Sequence, residues 1–205
     1  MDYFFRGTRI ELVDGESASQ CTKSARQSME NLFGKSTADT VHDRMIDLLL
    51  KYANNGNDIE LSSNEFNRHR VSPACALAQQ CKNVRTNGVI PAHIESINHQ
   101  HGHHRTVVMD WIGNIGYFYM LANIDGIYFT EKISILRLPR SLNDVSSLKP
   151  TLEALFRYKH FVAQLGQESL RMLQAREDME ILCGIIDIQS ETSSASAKHP
   201  IFFTP

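Results

Sequence analysis

No stretch of this 205-residue chain approaches the roughly 18 to 20 consecutive apolar residues that a helix needs to span a bilayer, so no membrane span is expected. Charge of either sign is not in excess. Lys and Arg number 21 against 23 Asp and Glu, a net charge of −2, which leaves no global basic field to draw nucleic acid. Cysteine is scarce: Cys21, Cys75, Cys81 and Cys183 are widely spaced and form no CxxC pair, as expected of reduced thiols in a cytosol-like compartment. The opening Met1–Arg6 has no basic region followed by an apolar run, so no Sec signal is expected. A cytoplasmic protein fits this profile, and so does one delivered into a host cell by a dedicated secretion machine. No GxxxxGK[ST] or GxGxxG loop is present to cradle phosphates, and no cofactor is called for.

Apolar residues make up 42 % of the chain, enough for a core. The expected organisation is one α+β domain over 1–189, with a Ser/Thr/Ala-rich mobile tail over 190–205. Residues Tyr3 to Val13 alternate as a strand does, and Asp14-Gly15 closes it. Ala25, Met29, Leu32 and Phe33 then fall on one helical face. Val41, Met45, Leu48, Leu49 and Tyr52 give a second helix, capped at Ser36 or Thr37 and ended by Asn54-Asn55-Gly56. Residues 57–70 are polar and read as a loop. Ser72-Pro73 starts a third helix, which Asn87-Gly88 ends. Four strands follow: Val89–Ile97, then Arg105–Ile112 and Ile115–Leu121 as a hairpin, then Ile127–Leu138. After Pro139, Leu152, Leu155, Phe156, Val162 and Leu165 form a helical stripe, continued by Leu170, Leu173 and Met179 beyond a break at Gly166. The expected fold is a helical N-terminal half packed on a mainly antiparallel sheet.

The chemically unusual feature is histidine. Five fall within twelve positions: His93, His99, His101, His103 and His104. One use for them is nucleophilic catalysis, in which a histidine takes a thiol proton and a polar group orients the histidine. Cys21 opens the first helix, where the dipole and free N–H groups favour a thiolate. His103 or His104 starts a strand, and Asn123, with Asp125 just beyond, ends the next one. Gln20 is placed to donate to an oxyanion. A small buried hydrophobe is nonetheless the commoner fate of a lone cysteine.

This order of Ser19-Gln20-Cys21-Thr22, His103-His104-Arg105-Thr106-Val107-Val108-Met109-Asp110 and Leu121-Ala122-Asn123 resembles papain-like cysteine hydrolases, including small proteases and deamidases among bacterial effectors. The likeness covers three short islands, about a fifth of the chain. It implies a papain-like fold and a virulence-type hydrolase or acyltransferase acting on protein amides. Cys21 would be its nucleophile, His103 or His104 its base, and Asn123 or Asp125 the orienter. Cys75, opening the next helix, is a rival nucleophile, and Gly88-Val89-Ile90-Pro91-Ala92 faintly resembles a transglutaminase-like pattern. His103 with Gln164 and Glu168-Ser169 resembles the order of ubiquitin-like-protein proteases and effector acetyltransferases, with serine in place of cysteine.

Two further readings stand beside the hydrolase. His99-x-His101-x-His103 places three imidazoles on one face of an extended segment, suited to zinc or nickel with Asp110 or Glu95 as oxygen ligand. The other is a non-enzymatic protein-interaction module, using the hairpin and the Arg68-His69-Arg70 triplet. In every case the expected partner is a protein, and neither nucleic acid nor membrane.

Overall fold

The computed structural model describes residues 2–14, 19–33, 46–98, 105–124 and 126–186. In chain order these form α1 (Asp2–Phe5), β1 (Ile10–Asp14), α2 (Gln20–Phe33), β2 (Leu48–Tyr52), β3 (Ile59–Asn67), α3 (Pro73–Asn98), β4 (Arg105–Ile112), β5 (Ile115–Ile124), β6 (Ile127–Arg137) and α4 (Leu148–Ile186). The strands make one six-stranded sheet in sequence order, β1 to β6. Four of its five pairings are antiparallel; β3 and β4 run parallel, joined by the α3 crossover.

This is a mixed α+β fold, and the expected helical N-terminal half, with its papain-like layout, is overturned. Three strands lie within the first 67 residues, and the two long helices follow β3 and β6. Leu48–Tyr52, expected within a helix, is strand β2; Val41 and Met45 of that expected helix lie outside the described residues. Residues 57–70, expected as a loop, contain β3, which is buried from Ile59 to Glu65 at the centre of the sheet. Residues 89–97, expected as a strand, continue α3 through Gly88 and Pro91. Both residues disfavour a helix interior. Burial of Val89, Ile90 and Ile94 in the core overrides them here. Tyr3–Phe5 belongs to a short helix, so the first strand begins only at Ile10. The 190–205 tail lies outside the described residues.

Other elements stand where the pattern places them: α2, the start of α3, the β4–β5 hairpin and β6. In α2, Ala25 packs on the core, while the side chains of Met29, Leu32 and Phe33 lie outside the description. The core is built from Leu49, Leu50, Leu61, Ile90, Met109, Leu136 and Val162, all at most 1 % exposed. In α4, Leu155, Val162, Leu165, Leu170 and Leu173 face this core, but Leu152, Phe156 and Met179 turn outward. Gly166 does not break α4. A Cβ there would overlap the Tyr52 ring, so glycine lets the helix touch β2.

The β3–β4 junction is unusually polar. The strands share a ladder only from Asn64–Met109 to Asn67–Ile112. Before it and at its first pair, side chains hold them together: Thr106 Oγ1 donates to Leu61 O (2.8 Å), Ser62 Oγ to Val107 O (2.8 Å), and Met109 N to Asn64 Oδ1 (3.0 Å). On the α3 side, Asn87 accepts from Ser63 N (2.8 Å) and donates to Ser63 O (2.8 Å), standing in for a strand neighbour. On the α4 side, Tyr158 Oη donates to Ser62 Oγ (3.1 Å) or Asn64 Oδ1 (3.2 Å). Burial pushes that phenol up to about 12, so it remains a donor at any ordinary pH.

Candidate functional site

Cys21 does open a helix, but the site there is already filled. Glu60 on β3 places its carboxylate against the first turn of α2. Gln20 N donates to Oε1 (2.7 Å), and Cys21 N (3.2 Å) and Ser19 Oγ (2.5 Å) donate to Oε2. Ser19 in turn caps the helix by accepting from Thr22 N (3.1 Å). The free N–H groups and the dipole that would support a thiolate thus serve a carboxylate of the same chain. Cys21 is 2 % exposed. Burial, then the adjacent Glu60 charge, push its thiol well above the usual cysteine value. The arrangement holds a neutral, packed thiol.

Among the other residues singled out for catalysis, Asn123 Oδ1 accepts from Gly126 N (2.9 Å), closing the β5–β6 turn. The Gln20 side chain is exposed, and its backbone N–H is taken by Glu60. His99, His101, His103, His104 and Asp125 lie outside the described residues. Cys75 is exposed, its N–H capped by Ser72 Oγ (3.2 Å). Ser169 is buried and donates to Leu165 O within α4. Among the described residues no group of three His, Cys, Asp or Glu side chains is placed to hold a metal ion.

The described surface instead carries an open apolar corner on the β5–β6 hairpin. The register sets Ile124 opposite Ile127, Ala122 opposite Phe129 and Met120 opposite Glu131. Opposed residues share a sheet face. This face is the α4 side, since Phe118 further along β5 stacks on Tyr158 of α4 at 4.8 Å. The path of α4 explains why the corner is bare. The helix joins the far end of β6, where Thr151 Oγ1 accepts from Arg137 N (2.7 Å) and donates to Arg137 O (2.9 Å). It then passes Phe118, crosses β3 at Ser62 and Asn64, and reaches Tyr52 on β2 at Gly166. Ile124, Ile127 and Phe129 are left 43, 61 and 51 % exposed.

The outer edge of β6, which no strand among the described residues pairs with, borders this corner. A register shift against Phe118/Tyr119 inserts Ile133 as a bulge, so the regular run is Ile127–Lys132. Sequence reasoning found β6 but not its exposure. Its alternation of apolar residues looks like that of a buried strand, and only the path of α4 reveals which face is left open. No helix among the described residues is long and apolar enough to cross a membrane. Compared with known proteins, the chain matches no family model, no curated protein and no solved structure.

Proposed function

We propose that the chain is a protein-binding module that adds an extended segment of a partner protein to the β6 edge along Ile127–Lys132. The observation that carries this reading is the coincidence of a regular strand edge, unpaired among the described residues, with three exposed apolar side chains, Ile124, Ile127 and Phe129, on the adjoining face. Edge strands that must stay single are normally blunted by proline, by charge or by brevity. The run here has no proline, and its only charges are Glu131 and Lys132. Strand addition would satisfy the open backbone groups, while alternate side chains of the guest would cover the apolar corner.

The chemistry favours a different chain over a second copy. Within the regular run, two copies pairing antiparallel about Phe129 or Thr130 would set the apolar Ile127 or Phe129 opposite Glu131. A guest with apolar residues at alternate positions avoids that mismatch. The fitting guest is therefore an extended partner segment with apolar residues at alternate positions. A thiol hydrolase has weaker support, because Glu60 already occupies the helix terminus at Cys21.

The test is a displayed library of random eight-residue peptides, selected on the intact chain and counter-selected on Phe129→Lys. Alternating apolar peptides should emerge. Their binding should fall about tenfold or more with Ile127→Lys or Phe129→Lys, in the range of a lost interface anchor. Cys21→Ala should bind them unchanged, and β6 amides should gain hydrogen-exchange protection on binding. Peptides that bind Phe129→Lys equally well, or no enrichment at all, would overturn the reading. A concentration-dependent dimer abolished by Phe129→Lys would also overturn it, in favour of self-association.

A further inference from the structure

On the opposite sheet face, the first turns of α3 and strands β4 and β5 enclose an open groove of about 350 Å³. Its walls are largely apolar or aromatic, with Pro73, Leu77, Ile112, Tyr117 and Tyr119 among them, and Asp110 is its acidic group. Asp110 is 3 % exposed. Its Oδ1 accepts from Asn83 Nδ2 at 2.6 Å, but its Oδ2 has no hydrogen-bond partner. A buried carboxylate oxygen without a donor is costly and uncommon in a folded chain.

Among the described residues, no cation acts on Asp110. Glu65 stands opposite Asp110 in the β3–β4 register, and Lys82 of α3 binds Glu65 Oε2 at 2.9 Å. The ammonium acts on Glu65, and Asp47 and Asp110 add negative charge near it. The other groups packed around Asp110 are uncharged: Asn83 and Gln79 from α3, and the Tyr119 phenol from β5, which burial and Asp110 push up to about 12. The Tyr117 and Tyr119 rings lie 6.2 Å apart and line the groove beside the carboxylate.

We propose that this groove binds an alkyl-ammonium or guanidinium group, with Asp110 Oδ2 accepting its hydrogen bond and the rings of Tyr117 and Tyr119 flanking the cation. The match is chemical. Asp110 Oδ2 has no partner at hydrogen-bond distance, no cation among the described residues acts on the carboxylate, and the aromatic walls favour a cation over a neutral donor. The apolar rim at Leu77 and Ile112 suits the methylene stem that carries such a group. Either a free amine or a basic side chain presents this chemistry. The site is independent of the β6 edge.

Burial raises the Asp110 carboxyl above its ordinary range, with the Asn83 and Gln79 hydrogen bonds opposing that rise. A bound cation favours the ionised form, so binding releases a proton from any protonated Asp110. Affinity therefore rises with pH through the titration of Asp110 and levels off once it is ionised.

Calorimetry on the intact chain would use cadaverine and agmatine as free cations, and N-acetyl-lysine and N-acetyl-arginine methylamides as side-chain mimics. Nα,Nε-diacetyl-lysine methylamide is the neutral control. Cation binding that strengthens with pH, is absent for the neutral control and drops about tenfold or more in Asp110→Asn is the expected result. Preference for the free amines or for the amino-acid mimics tells which source the groove takes. Tyr119→Leu, which leaves the carboxylate network in place, should weaken binding on its own and covers the case in which Asp110→Asn does not fold. The proposal is overturned if no cation binds at millimolar concentration, if the neutral control binds equally, or if every folded variant binds like the original.

Discussion

Glu65 is 3 % exposed beside Lys82, and desolvation outweighs the salt bridge. Its carboxyl is pushed up from 4.5 to about 7, with Asp47 and Asp110 adding to the rise. A carboxyl raised on folding binds its proton more tightly in the native state. Its contribution to stability is therefore full below about pH 4.5 and is lost as pH rises through about 7. Urea midpoints of the original chain should fall across that window, and Glu65→Gln should lack this part of the fall. Equal slopes for the two proteins would show that Glu65 is not the titrating group. Little of this was legible in the sequence. Residues Glu60–Glu65 are a polar run that reads as a surface loop, and each polar side chain becomes intelligible only beside its partner on another element: Glu60 on the α2 terminus, Ser63 on Asn87, Glu65 on Lys82.

At the scale of elements, local signals served where each residue's period matched its burial. The start of α3 at Ser72-Pro73 and the β4–β5 hairpin could be read directly, because a proline start and a glycine turn are local physics. Breakers misled where packing overruled them. Gly88 and Pro91 sit inside α3, and Gly166 sits inside the 39-residue α4, about 58 Å long. Gly166 offers a clean test of the packing account. At an open helical position, glycine to alanine gains up to about 1 kcal/mol. Here the new methyl meets the Tyr52 ring, so Gly166→Ala should instead destabilise by about 1–3 kcal/mol, the usual scale of overpacking. In a Tyr52→Leu background the same substitution should cost much less. Chemical denaturation of the four proteins in that cycle measures the coupling; an additive cycle would refute the contact.

At the scale of the molecule, the sheet is two antiparallel meanders, β1–β2–β3 and β4–β5–β6, joined at one parallel seam. Sequence periodicity does not reveal such a join. The clips across it link residues 45 positions apart, Ser62 with Val107 and Leu61 with Thr106. The same join leaves β6 at one outer edge of the sheet, where the proposed guest strand would add.

The seam also bears on the order in which the chain folds. The β4–β5–β6 meander closes through short connections, so its pairings form at low entropic cost. The β3–β4 contacts must wait until the whole of α3 is in place between them. Ser62→Ala and Thr106→Val remove seam bonds and leave each meander's own ladder intact. Stopped-flow kinetics should therefore show faster unfolding with nearly unchanged refolding, the signature of contacts made after the barrier. Slowed refolding in either variant would place the seam in the folding nucleus instead. Late closure would make this parallel join the last part of the sheet to gain protection during refolding.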